Sequence, residues 1–192
     1  MLKNRLEAFS DGVIAIIITI MVLELRAPHE TDLASLKPLL PIFLSYILSF
    51  IYIAIYWNNH HHLLHAINRI DGKVLWANIH LLFWLSLIPF TTSWIDENTF
   101  LAPWPAAVYG IVLFGAAGAY YILTKFLLAC QGQGSAMASA LRDILKERIS
   151  IAIYAFAILF AFVKPAVSYA LYALVAAMWI VPDRRLEKIL LK

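Results

Sequence analysis

Four residues whose types and spacing could serve a function lie where the first apolar stretch of this chain begins. Arg5, Phe9, Ser10 and Asp11 run directly into the apolar segment 13–23. A charged group next to a bilayer core is costly unless it is paired, so such groups point to function inside a membrane. The alternative is structural, with Ser10 or Asp11 capping the start of a hydrated helix.

A run of histidines supplies the second candidate group. His61 and His65 are separated by four residues, a spacing that presents two ring nitrogens to one metal ion on a helix. We find no carboxylate or third ligand at a suitable spacing in the sequence, so we do not predict a metal site there. Hydrated, exposed histidines are the simpler interpretation.

A polar network between helices accounts better for these side chains. Polar groups inside a helical bundle pair with one another across helices. We therefore expect Ser10 and Asp11 to bond to polar side chains of the second and third apolar segments.

The composition is that of an integral membrane protein. Hydrophobic residues make up 62% of the chain and charged residues 14%, against about 45–50% and about 25% in soluble domains. The single cysteine, Cys130, excludes an internal disulfide and a cysteine-based metal cluster. With no Gly-rich phosphate loop and no nucleophile elbow, we predict neither an enzyme, nor a cofactor, nor a nucleic-acid partner.

Six apolar segments are long enough, or nearly so, to cross a bilayer. They lie at about 6–25, 36–63, 73–95, 104–130, 147–163 and 166–182. The last two are short, and Pro89 predicts a kink in the third. We expect one six-span transmembrane domain over residues 1–192.

The basic residues predict the orientation of these spans. Of the 15 Lys and Arg residues, only Arg26, Lys37 and Lys164 fall outside when the N-terminus is cytoplasmic. Both termini are therefore predicted to be cytoplasmic. The acidic residues on the predicted outer side are Glu24, Glu30, Asp32, Asp96 and Glu97. The resulting negative outer face would concentrate cations.

The first segment carries a heptad-like stripe. On a helix of about 100° per residue, one face collects Arg5, Phe9, Gly12, Ile16, Thr19 and Leu23. Ser10 and Asp11 point away from this stripe. Such a stripe suits contact between identical helices around an axis, although an ordinary packing stripe in a monomeric bundle has the same spacing. The apolar run 13–23 spans only about 16 Å, which is short for a helix facing lipid.

The motif resembles that of a known family. Arg5, Phe9, Ser10 and Asp11 match the Arg-x-x-x-Phe-Ser-Asp motif that opens the first helix of the transmembrane protein 175 family, which are lysosomal potassium channels with prokaryotic relatives. Residues 12–25, the Trp57 to His61 region and residues 78–90 are also similar to that family.

The resemblance implies an all-α integral membrane protein with six transmembrane helices per protomer. A chain with one repeat resembles the prokaryotic members, which implies a homotetramer in a bacterial or archaeal cell membrane, permeable to potassium ions. In that family the first helices line the pore, which implies Ile16 as the constriction, with Thr19 and Leu23 farther outward. The resemblance also implies that Ser10 and Asp11 hold the pore helix against its neighbours. Their candidate partners are then Trp57, His60, His61 and Asn78.

Two other functions stay open on the sequence. A cation- or proton-coupled secondary transporter would use Asp11 as its binding site, since carboxylates within membranes often serve relays. A metal- or haem-binding membrane oxidoreductase would use His61, His65 and His80.

Overall fold

Every secondary-structure element in the described part of the chain is a helix. The structure is a computed structural model that describes residues 2–28, 30–65, 67, 70–98, 101–131 and 145–180. Its elements are, in order, α1 (Leu2–Leu23), a 3-10 helix (Leu33–Leu39), α2 (Leu40–His65), α3 (Gly72–Ser86), α4 (Ile88–Asp96), α5 (Pro103–Gln131), α6 (Leu145–Phe160) and α7 (Pro165–Ile180). The all-α membrane fold is confirmed.

The helices fit the six predicted segments. Four stretches are long and apolar enough to cross a membrane, namely Lys3–Leu23, Leu33–His65, Gly72–Asp96 and Pro103–Cys130. Helices α6 and α7 have 16 residues each. That length gives each about 24 Å of helix, less than the roughly 30 Å of a hydrocarbon core.

The orientation of the spans stays a prediction. Six of the basic residues that support the predicted orientation lie outside the described residues, namely Arg69, Arg142, Arg184, Arg185, Lys188 and Lys192.

The third segment breaks where Pro89 predicts a kink. Helix α3 ends at Ser86, Leu87 forms the junction, and α4 begins at Ile88. Pro89 stands in the first turn of α4, a position where its missing N–H leaves no intrahelical hydrogen bond unmade. The helical i to i−4 hydrogen bonds resume directly after this break, since the Thr91 backbone N–H donates to the Leu87 carbonyl at 3.1 Å.

The capping interpretation of Ser10 and Asp11 is wrong. Helix α1 begins at Leu2, which places both residues in its middle turns rather than at its start. The helical backbone already satisfies the N–H groups that a cap would serve, so these side chains are free to bond across helices.

Helix α1 packs at the edge of the bundle. It contacts α2, α3 and α4, whereas α5 is the central helix and contacts α3, α4, α6 and α7. Buried tyrosines tie the other helices together: Tyr52 donates to the Tyr172 carbonyl at 2.6 Å, and Tyr154 donates to the Tyr52 hydroxyl at 3.2 Å. Helix α1 is thus covered on one side only.

The α3–α5 contact depends on a glycine. A Cβ atom at Gly115 would overlap the indole ring of Trp84, whereas one at Gly118 on the same helix would meet nothing within 4 Å. We expect Gly115→Ala to destabilise the fold by about 1–3 kcal/mol, because a rigid ring must move. Gly118→Ala is the matched control and should be neutral or stabilising by up to about 1 kcal/mol. Thermal unfolding in detergent measures both, and equal melting temperatures for the two variants would contradict this packing.

Candidate pore helix and its anchoring network

Helix α1 has one buried face and one exposed face. The buried face is formed by Leu6, Ser10, Ile14, Ile17 and Met21, each at most 6% exposed. The heptad-like stripe lies on the other face, where Phe9 is 56%, Ile16 59% and Leu23 80% exposed. Arg5, Gly12 and Thr19 are exposed on the same side. The stripe therefore does not pack within its own protomer.

A buried chain of hydrogen bonds fixes Ser10 to the bundle. The Ser10 hydroxyl donates to the Leu6 carbonyl at 2.8 Å and accepts from Asn78 Nδ2 at 2.9 Å. Asn78 Oδ1 lies 2.6 Å from His60 Nε2. Ser10, His60 and Asn78 are at most 2% exposed. Because Asn78 Oδ1 is an acceptor, His60 must carry its proton on Nε2 in this arrangement.

Asp11 has a different partner. Its Oδ1 accepts a hydrogen bond of 3.0 Å from the indole Nε1 of Trp57. Asp11 is half-buried and Trp57 is 43% exposed, so this pair lies at the rim of the α1–α2 contact. Ser10 and Asp11 thus bond to α1's neighbours at separate points, one inside the bundle and one at its rim.

His61 joins neither Ser10 nor Asp11. Its ring stacks on Trp57 with centroids 5.7 Å apart, and its Nδ1 lies 3.5 Å from Glu7 Oε1. His65 Nε2 lies 3.4 Å from the same carboxylate oxygen. The structure thus places a carboxylate beside the histidine pair that spacing within one helix does not predict, because Glu7 belongs to α1.

A regular pattern could have revealed Glu7. Glu7 and Asp11 are one helical turn apart on α1, and Trp57 and His61 are one turn apart on α2. For two antiparallel neighbours, pairing Asp11 with Trp57 places Glu7 beside His61. The matching four-residue spacings are visible in the sequence. They identify Glu7 as a partner of His61 only once the register between the two helices is known.

Comparison with known proteins places this geometry in a family. A family model described as the endosomal/lysosomal potassium channel TMEM175 matches residues 5–89. A protein from Chryseobacterium sp. (strain P1-3), named as a potassium channel, is 53% identical over 188 residues, covering 98% of this chain and 97% of the relative. The chain belongs to the TMEM175 family. Every residue of the two hydrogen-bonded sets lies within the stretch that the family model matches.

Two further TMEM175 relatives show how far the similarity extends in structure and in sequence. The crystal structure of a lysosomal potassium-selective channel TMEM175 homolog from Chamaesiphon minutus superposes with a TM-score of 0.80 at 27% identity, covering 94% of this chain and 97% of the other. A Danio rerio protein named as the endosomal/lysosomal proton channel TMEM175 is 30% identical over 90% of this chain, which corresponds to 36% of that longer protein. These relatives are channels, so the chain is no enzyme.

The exposed stripe of this TMEM175 chain carries one hydroxyl group. Thr19 Oγ1 donates to the Ile16 carbonyl at 2.8 Å. Its hydroxyl proton is therefore held by the backbone, and the oxygen lone pairs remain for an ion or water.

His80 lies apart from the histidine pair. Its Nε2 accepts a hydrogen bond of 3.0 Å from Trp84 Nε1, one turn along the same helix. Among the described residues, the group whose ligand atoms converge is Glu7, His61 and His65. The oxidoreductase hypothesis, which needed His80 together with His61 and His65, is not supported by this placement.

Proposed function

We propose that the chain forms a potassium-permeable cation channel from four copies, whose α1 helices line the pore. The exposed stripe on α1 is the observation that carries the proposal. Three of its apolar residues, Phe9, Ile16 and Leu23, are more than half exposed in the protomer, while the opposite face of the same helix is buried. We infer that the permeant ion is potassium because the bacterial relatives are named as potassium channels.

A second copy covers this stripe better than lipid does. Lipid-facing surfaces are apolar throughout, whereas this stripe includes Arg5, Gly12 and Thr19. An open groove runs beside the stripe, between Ile16 and Ile20 of α1 and Pro89 and Phe90 of α4. A neighbouring copy packed along this groove would bring the four stripes to a common axis.

The constriction in this proposal is a ring of Ile16 side chains. An apolar ring conducts only while it is wide enough to stay wet, and slight narrowing closes it by dewetting. Thr19 lies nearly one turn outward and offers a hydroxyl oxygen to a partly dehydrated ion, and Leu23 lies at the outer end of the same stripe. Selectivity then rests on these side chains rather than on backbone carbonyls.

The anchoring motif fixes the rotational orientation of the pore helix about its own axis. Ser10, through Asn78 and His60, fixes the buried face of α1, and Asp11, through Trp57, fixes its flank. Any rotation of α1 that moved Ile16 off the axis would break these bonds. Arg5 and Phe9 extend the exposed stripe toward the N-terminal end of the helix.

The outer end of α1 favours cations. Glu24 follows directly after α1 and accepts a hydrogen bond of 3.3 Å from the Ser93 hydroxyl. With both termini cytoplasmic, in the cell membrane of a prokaryote, Glu24 stands at the extracellular mouth. Four such carboxylates would raise the local cation concentration there. The whole chain, residues 1–192, acts as one channel domain.

Reconstitution into a planar bilayer tests the proposal. We expect single-channel steps and, with potassium and sodium on opposite sides, a reversal potential displaced toward the potassium equilibrium potential. Light scattering in detergent should give four times the chain mass of 21.7 kDa. Saturable flux without steps, coupled to a second gradient, would instead establish a transporter that uses Asp11. Current carried by protons alone would match the name of the animal relatives.

A further inference from the structure

The carboxylate of Glu7 and the rings of His61 and His65 converge from two helices. Their ligand atoms, Glu7 Oε1, His61 Nδ1 and His65 Nε2, all lie within 4.8 Å of one another. The side chains are 20%, 38% and 50% exposed, respectively, so the group is open to solvent on one side. Neither the pore nor the anchoring network described above uses Glu7 or His65.

The distances between these atoms are close to the ligand–ligand distances in a tetrahedral metal site. Zinc bonds of about 2.0–2.1 Å to nitrogen and oxygen place neighbouring ligand atoms about 3.3–3.4 Å apart. The carboxylate oxygen lies 3.5 Å from His61 Nδ1 and 3.4 Å from His65 Nε2. Two of the three edges are therefore already close to the required length, and the third, between the two ring nitrogens, is at most 4.8 Å and shortens by movement of the rings.

We propose that Glu7, His61 and His65 form a binding site for a divalent transition-metal ion, with Zn²⁺ as its reference ligand. Imidazole and carboxylate donors suit Zn²⁺, Cu²⁺ and Ni²⁺, whereas Mg²⁺ and Ca²⁺ prefer all-oxygen sets. Three protein ligands leave the fourth position to water. The site would clamp the first turns of α1 to the end of α2.

The surroundings support ligand orientation. Trp57 stacks on the His61 ring, and the same indole donates to Asp11. This contact restricts the rotation of the ring whose Nδ1 points at Glu7. The Lys3 ammonium group lies at the His65 carbonyl, 3.4 Å away, and therefore contacts the backbone rather than the carboxylate.

Titration of tag-free, metal-stripped protein with Zn²⁺ tests the site by calorimetry, with Co²⁺ as a spectroscopic probe. We expect one ion per chain and the intense visible absorption of four-coordinate Co²⁺. Glu7→Gln and His65→Asn should each weaken Zn²⁺ binding by at least roughly 10- to 100-fold, since loss of even an outer partner of a ligand costs that much. Mg²⁺ should not compete.

The matched control is His62→Asn, which removes a neighbouring histidine outside the group. It should bind Zn²⁺ as the unaltered chain does. Zn²⁺ should also raise the melting temperature of the unaltered chain and of His62→Asn, but not of Glu7→Gln or His65→Asn, because a ligand stabilises only the state that binds it. Unchanged Zn²⁺ affinity in Glu7→Gln and His65→Asn, or equal loss in His62→Asn, would overturn the assignment. Both readouts are independent of ion conduction, so they stand whether or not the channel proposal does.

Discussion

Replacing Ile16 with asparagine will increase potassium flux and reduce the preference for potassium over sodium. Ile16 is the proposed narrowest ring, and an apolar ring resists water entry until it is wide. An amide in its place wets the constriction and offers oxygen ligands to either cation. We expect roughly a tenfold rise in flux, equivalent to a barrier lower by about 1.4 kcal/mol. The reversal potential under potassium/sodium bi-ionic conditions should move toward zero.

Val22→Asn is the matched control for this prediction. Val22 lies on the same helix, is also apolar and is 46% exposed, but it lies about 120° around the helix from Ile16. It should leave the reversal potential unchanged. If Val22→Asn changed selectivity and Ile16→Asn did not, α1 would present a different face to the ions, and the assignment of Ile16, Thr19 and Leu23 to the pore would have to be withdrawn.

Replacing Asn78 with leucine will be the most destabilising change in the anchoring network. Asn78 is fully buried and bonds both His60 and Ser10. Leucine has a similar volume, so the substitution removes the hydrogen bonds without opening a large cavity. Two buried polar groups then lose a partner, at about 1–3 kcal/mol each. We expect a loss of about 2–5 kcal/mol, or roughly 5–15 °C in melting temperature.

Two comparisons make this prediction specific. Asn58→Leu applies the same substitution to a half-buried residue of α2 and should cost less than about 1 kcal/mol. Asp11→Ala should cost less than Asn78→Leu, because its partner Trp57 is 43% exposed at the rim, where the indole N–H can donate to water instead. Asp11→Ala should also impair assembly or stability more than selectivity. Folded tetramers of Asp11→Ala with altered selectivity would show that Asp11 faces the ions.

Composition and periodicity fixed much of the architecture in advance. An apolar content of 62% leaves room for little besides membrane helices. Proline and glycine positions set where helices end, as the break beside Pro89 illustrates. The stripe that contains Ile16 followed from helical geometry alone, since residues separated by three or four positions share a face whatever the rest of the protein does.

Partners on other helices could not be read in the same way. Ser10 and Asp11 are adjacent in sequence, which predicts that they share one network. They point about 100° apart on α1, so Ser10 reaches Asn78 inside the bundle while Asp11 reaches Trp57 at its rim. The direction of each side chain was available from the sequence, but the identity of the group it meets was not.

The register between α1 and α2 decided the rest. Sequence spacing gave the histidine pair His61 and His65 but no third ligand, because spacing rules apply within one helix. Only the packing of two antiparallel helices brings Glu7 to within 3.4–3.5 Å of both rings. The sequence by itself thus determined the membrane helices, their breaks and which residues share the stripe of α1, which are local consequences of residue type and period. The tertiary structure decided which side chains bond across helices, because that depends on the depth and rotation at which neighbouring helices pack.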